Sequence, residues 1–203
     1  MNVANPIESS ISERIKARGD GWVFSPVDFV DLGNRNAVDK ALSRMAADGS
    51  VRRVARGLYD VPKRHPLVGL TTPSIDQVAK AVAGKSGTRL QPTGAYAANL
   101  LGLSDQVPAK VVFLTDGRSK RIQLGTLTIA LKQTSPRIMA TAGTISGSII
   151  QALRYLGKDH VTEETVQRLD RRLSPDDRKQ LLKDLAYAPA WIALIMRKLA
   201  TVG

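Results

Sequence analysis

The chain has 203 residues, no cysteine, and 30 Lys plus Arg against 18 Asp plus Glu, a formal charge of +12. The missing thiols exclude disulfides, thiolate catalysis and most structural zinc sites, while the positive field favours a polyanion or an acidic partner and says nothing about fold. No apolar run in the sequence approaches the roughly twenty residues of a membrane span, and the N-terminus has no apolar signal core, so a cytoplasmic protein without a membrane partner is expected.

Ile7, Ile11 and Ile15 recur at four-residue steps and predict an amphipathic first helix that stops at Gly19-Asp20-Gly21. Trp22 to Phe24 reads as a short extended piece, with Trp22 a core residue rather than a base-stacking platform. Ser25 and Pro26 supply an N-cap and a first-turn proline for a second helix ending near Leu32-Gly33. A third helix follows over about residues 34 to 48. Its small-apolar face is Ala37, Val38, Ala41, Leu42 and Met45, Asn34 is its N-cap and Gly49 its end. Arg35, Asn36, Asp39, Lys40, Ser43 and Arg44 fall on the opposite face.

Val51 to Arg53 and Leu58 to Val61 then read as two strands joined near Ala55-Arg56-Gly57, with Gly57 at positive φ. Helix, short strand, helix, turn, longer helix and hairpin is the order of a winged helix-turn-helix, whose third helix enters the major groove. Residues 34 to 64 hold eight basic and three acidic side chains. The expected DNA-binding residues are therefore Arg35, Asn36, Lys40, Ser43 and Arg44 on the helix and Arg52, Arg53 and Arg56 on the wing.

Asp60 to Pro73 has three prolines and a glycine, so residues 63 to 73 read as a linker after a winged domain at 1–62. A second domain at 74–203 follows. Ser74 to Ala83 is a helix with Ile75, Val78, Ala79 and Val82 on one side, and Thr93 caps a small-residue helix from Gly94 to Leu101. Lys110 to Leu114 is a strong β run, and Asp116-Gly117 favours a hairpin after it. Arg121 to Leu124 and Thr126 to Lys132 are further strands. Past Ser135-Pro136 the chain turns helical over 144–156, 162–173, 175–186 and 189–200. The fold class is α+β: a winged helix-turn-helix and then a mixed α/β domain with a helical C-terminal half.

Residues 67 to 137 are the most lopsided stretch, with nine basic and three acidic side chains. Arg118, Lys120 and Arg121 follow the Asp-Gly turn and are expected to project together, as a second DNA contact, a partner surface or a solvated hairpin tip. Gly84-Lys85-Ser86 fails as a phosphate loop, because position 79 is alanine and a helix precedes it. His65 and His160 lie in no metal spacing, and Glu163-Glu164 sits where a helix N-terminus welcomes negative charge. No constellation supports an enzyme, a cofactor or a metal.

Two segments resemble the AbiEi-type antitoxins of type IV toxin-antitoxin systems, including shorter relatives known only as domains of unknown function. The first is Ala41 to Met45 with Gly49 to Tyr59. The second runs from Gln91-Pro92-Thr93-Gly94 through Asn99 and Gly102 to Pro108, followed by Thr115-Asp116-Gly117. The resemblance covers roughly residues 7 to 132 and leaves the C-terminal helices unmatched. It implies a winged helix that represses the protein's own operon, an antitoxin function in the second domain, and a nucleotidyltransferase-like toxin encoded alongside. Asn99 and Gln106 are expected to fix the strand and turn after the small-residue helix.

The leading expectation is thus an antitoxin and DNA-binding repressor, acting on an operator inverted repeat as a homodimer. The alternatives are a protein-interaction module that neutralises a toxin by direct binding without DNA recognition, an RNA-binding regulator, or a phosphotransfer enzyme using Lys85.

Overall fold

Local periodicity places the first-unit helices close to where the sequence puts them. The computed structural model describes residues 6–201, apart from 20, 63, 66, 68, 85, 86 and 107, with the backbone alone for Arg64, His65 and Leu70. The chain divides into two units, Met1–Ser86 and Gly87–Gly203.

In the first unit, helices α1 (Pro6–Arg18), α2 (Arg35–Ala47) and α3 (Ile75–Ala83) alternate with strands β1 (Val23–Phe24), β2 (Arg52–Ala55), β3 (Leu58–Asp60), β4 (Arg64–His65) and β5 (Gly69–Leu70). β1, β3 and β2 form an antiparallel sheet in that order. Ile11 and Ile15 of α1 and Val38, Ala41, Leu42 and Met45 of α2 are buried with Phe24, Phe29, Val51 and Tyr59. Each large apolar side chain so buried contributes about 1.5 to 3 kcal/mol. Trp22 packs at 5.0 Å from Phe24 and 5.8 Å from Phe29, ring centre to ring centre, so it belongs to this aromatic cluster.

Two differences from the sequence reading have local causes. The second helix is only a 3-10 turn, Pro26–Phe29. The Asp28 carbonyl, which an α-helix would offer to Leu32 N, accepts from Arg14 Nη1 at 2.7 Å, while Leu32 N bonds Phe29 O in the tighter 3-10 pattern. The residues read as a linker carry a two-stranded pair, Arg64↔Leu70 and His65↔Gly69. Helix α3, read as the start of the second domain, lies in the first unit, so the division falls at 86/87 instead.

The second unit opens with β6 (Leu90–Thr93) and α4 (Gly94–Leu100), then β7 (Lys110–Thr115), β8 (Lys120–Leu124) and β9 (Leu127–Gln133). The helices α5 (Pro136–Met139), α6 (Ile145–Leu156), α7 (Glu163–Asp170), α8 (Pro175–Lys183) and α9 (Ala190–Thr201) follow. Sequence reasoning missed β6 because Pro92 lies inside it. Proline has no amide to donate and is confined to strands such as β6 that lie at a sheet edge.

The sheet order is β6-β7-β9-β8, with β7 and β9 parallel and the other pairs antiparallel. The expected hairpin at Asp116-Gly117 does not form. Asp116 bonds the Arg89 amide and guanidinium, and a Cβ on Gly117 would lie 2.7 Å from Thr88. The hairpin is instead β8–β9, closed by Leu124↔Leu127 around Gly125 at φ +59.

Ala97 and Ala98 on α4 are fully buried against Ile149, Ala152 and Leu153 of α6, and Leu169, Leu181, Ile192, Met196 and Leu199 complete this core. Small residues on α4 let α6 approach closely. Thr93 does not cap α4: its hydroxyl donates to Gln151 Oε1 at 2.8 Å. Asn99 Nδ2 donates to the carbonyls of Ser104 and Gln106, at 3.0 and 3.3 Å, and so holds the loop after α4. The fold is mixed α+β, and no helix among the described residues is long and apolar enough to cross a membrane.

Candidate nucleic-acid interface

Helix α2 is built to bury one face and present the other. Asn34 Oδ1 accepts from Ala37 N at 2.9 Å, and Gly49 at φ +82 ends the run. With Val38, Ala41, Leu42 and Met45 in the core, Arg35, Asn36, Lys40, Ser43 and Arg44 are all exposed. Arg35, Asn36 and Lys40 also line a shallow depression of about 520 Å³ with Asn34 and Ala37.

Two of these cations have surface partners. Arg35 pairs with Asp39 at 3.0 Å one turn on, and Arg44 pairs with Glu8 of α1 at 2.6 Å. Exposed pairs of this kind contribute about 0 to 1 kcal/mol, so either arginine can be recruited by a polyanion at small cost. Past the helix, Ser50 donates to Asp48 from its hydroxyl at 2.5 Å and its amide at 2.9 Å, which holds that carboxyl below its ordinary range and fixes the turn into β2.

The three hairpin arginines are not equivalent. Arg53 and Arg56 are exposed, with no hydrogen bond or ion pair among the described residues, and they flank the turn closed by Ala55↔Leu58, in which Gly57 has φ +71. Arg52 is half-buried and committed. It donates twice to Asp60, at 2.9 and 2.5 Å, and once to the Thr71 carbonyl at 2.8 Å. Its guanidinium is held charged more strongly than usual, chiefly by the Asp60 hydrogen bonds. The spacing of Arg52, Arg53 and Arg56 carries no sign of this division, since it follows from which side of β3 each strand position meets.

Arg118, Lys120 and Arg121 are exposed in the second unit. They do not project together, as the sequence led one to expect, because Lys120 and Arg121 are consecutive in β8 and consecutive strand residues face opposite sides. The register puts Arg121 opposite Ala130, hence on the side of the sheet that carries Lys132 and Lys110. Lys110 and Lys132 are exposed cations that sequence reasoning did not join to this surface. Only the pairing of β7, β8 and β9 relates them.

Of the remaining residues singled out in the sequence, Lys85 and the His65 side chain lie outside the described residues. His160 is exposed beside α7. Glu163 pairs with Lys198 and Glu164 with Arg168 at the start of α7, where the helix dipole favours acids. Among the described residues no group of three or more His, Asp or Glu could hold a metal ion.

These features define a mixed α+β protein of two units, each with an exposed basic surface. The chain belongs to the DUF6088 family, a family of unknown function, whose model matches residues 10–181. No curated protein matches it.

Proposed function

We propose that the first unit is a winged helix-turn-helix that reads duplex DNA, and that the protein represses its own operon and acts as the antitoxin to a nucleotidyltransferase-like toxin. The observation that carries the DNA reading is the succession of α1, β1, the turn at Pro26–Phe29, α2 and the β2–β3 hairpin, with sheet order β1-β3-β2. In this arrangement the polar face of α2 and the tip carrying Arg53 and Arg56 are both exposed. A helix presenting Arg35, Asn36 and Lys40 at its N-terminal end suits major-groove entry, while Arg53 and Arg56 suit phosphates or a minor groove.

The antitoxin part rests on the resemblance through Gln91 to Pro108 and Thr115 to Gly117. Arg121, Lys110 and Lys132, on one side of the sheet, offer a surface for the toxin or an acidic partner. A homodimer on an inverted repeat is the assembly that suits a module with one reading helix.

The test is binding of the full chain to its own promoter and to random duplex of equal length, over a range of salt. With about six phosphates neutralised, log affinity falls with log salt at a slope of about five, and the promoter is preferred. Equal binding to both duplexes overturns the operator reading. Growth arrest that persists when the chain is co-expressed with the toxin encoded alongside overturns the antitoxin reading.

A further inference from the structure

The second unit contains a cavity of about 210 Å³ lined by Ser135, Arg137, Ile138 and Thr141 around α5, Ile150, Gln151 and Arg154 of α6, and Tyr187. Its polar lining includes several donors that make no hydrogen bond among the described residues. Gln151, a lining residue, is 93% buried; Thr93 donates to its Oε1, and its Nε2 makes no hydrogen bond among the described residues. The Thr141 side chain is likewise almost wholly buried, and its hydroxyl has no hydrogen bond among the described residues. Arg137 and Arg154 are exposed at the rim, and neither has a carboxylate partner among the described residues.

No acid lines the cavity. Asp184, three residues before Tyr187, is not among the lining residues; its Oδ2 accepts from Gln180 at 2.8 Å and from Thr144 at 3.5 Å. Two guanidinium groups without a carboxylate partner, beside an amide and a hydroxyl with hydrogens to give, are an arrangement that a bound anion satisfies, since unpaired cations repel and charged hydrogen bonds are the stronger ones.

We propose that this cavity binds the phosphate group of a small phosphate monoester. A carboxylate has two oxygens, whereas two arginines, the Thr141 and Ser135 hydroxyls and the Gln151 amide line this one cavity. A phosphate dianion, with more acceptor oxygens and more charge, uses that set more fully. The volume holds the phosphate and the carbon atoms next to it, with Ile138 and Ile150 as the apolar wall. The site uses none of the residues assigned to DNA.

The experiment is a titration of the full chain, followed by the NMR signals of the Gln151 side-chain amide and of Thr141, with inorganic phosphate, adenosine 5′-monophosphate and malonate as separate probes. Saturable shifts of both residues are expected with the monophosphate, at least about tenfold tighter than with malonate and tighter than with inorganic phosphate. Arg137→Gln and Arg154→Gln, both at exposed positions, should each weaken binding about tenfold with an unchanged melting temperature. Arg35→Ala should leave the titration unaltered, so failure here is separable from failure of the DNA reading. No shift at Gln151 up to roughly 20 mM monophosphate, equal affinity for malonate, or undiminished binding by both Arg137→Gln and Arg154→Gln overturns the proposal. Inorganic phosphate binding as tightly as the ester overturns the ester and leaves a phosphate site.

Discussion

Arg52 and Asp60 sit opposite one another on β2 and β3 and share two parallel hydrogen bonds, Nε to Oδ1 at 2.9 Å and Nη2 to Oδ2 at 2.5 Å. Asp60 has a side-chain exposure of 5% and Arg52 one of 28%, so this pair is screened from water far more than the exposed pairs on α2. Its role is to tie the hairpin to itself and, through Thr71, to the chain beyond it.

Asp60→Ala should therefore destabilise the first unit by about 2 kcal/mol, because it leaves a half-buried guanidinium without its partner. Urea unfolding followed by Trp22 fluorescence checks this. Arg52→Ala should show a similar loss. A change within about 0.5 kcal/mol in either variant would mean that the pair does not hold the hairpin.

The exposed arginines should behave differently. Arg53→Ala and Arg56→Ala are expected to leave stability within about 0.5 kcal/mol. Each should weaken binding to all DNA sequences alike and lower the salt slope by about one. Arg35→Ala should cost about 1 to 3 kcal/mol on the operator and blur its preference over random duplex. Uniform weakening by Arg35→Ala would instead place that side chain on the backbone of the DNA.

Gly147 has no positive φ to require glycine; space requires it. A Cβ there would lie 2.2 Å from the Thr141 carbonyl oxygen and 2.4 Å from Gln91 Oε1, itself a buried oxygen without a hydrogen bond. Gly147→Ala should destabilise the second unit by about 1 to 3 kcal/mol, even though alanine is the better helix former. Thermal unfolding of the variant measures the difference. An unchanged melting temperature would show that the 141–147 segment yields freely.

The Arg89 guanidinium, and then its amide, holds the Asp116 carboxyl below its ordinary value of 3.8. A depressed folded-state value contributes stability that is present above 3.8 and lost as pH falls through the folded value. The acid limb of the stability curve should flatten in Asp116→Asn. In Arg89→Met the Asp116 carboxyl, followed by carbon NMR, should return toward 3.8. An Asp116 titration indifferent to Arg89→Met would remove the pair as the cause.

Charge reversal on β8 should depend on the side of the sheet. Arg121→Glu lies on the side carrying Lys110 and Lys132 and should impair toxin relief more than Lys120→Glu, which lies on the other. Operator affinity should stay within about threefold in both, roughly 0.65 kcal/mol. Equal effects on toxin relief would show that no one side of the sheet meets the toxin.

The helix at 34–48, the first-helix isoleucines and the turn glycine at 57 were legible because cap, period and positive φ are properties of neighbours in sequence. So were β7, β8 and β9 as extended segments, and α4 as a helix of small residues. Tertiary structure decided the matters that depend on residues far apart in the chain. Arg14 bonds the carbonyl at Asp28 where the helix after Pro26 was expected to run on, Asp60 holds Arg52 away from the hairpin's outer surface, and Asp116 bonds Arg89 where a hairpin turn was expected. In each case the deciding partner lies far away in the sequence, so the local pattern carries no sign of it. The side of the sheet that joins Arg121 to Lys110 and Lys132, and the cavity that joins Arg137, Thr141 and Gln151 to Tyr187, exist only through strand register and helix packing, which no spacing in the sequence encodes.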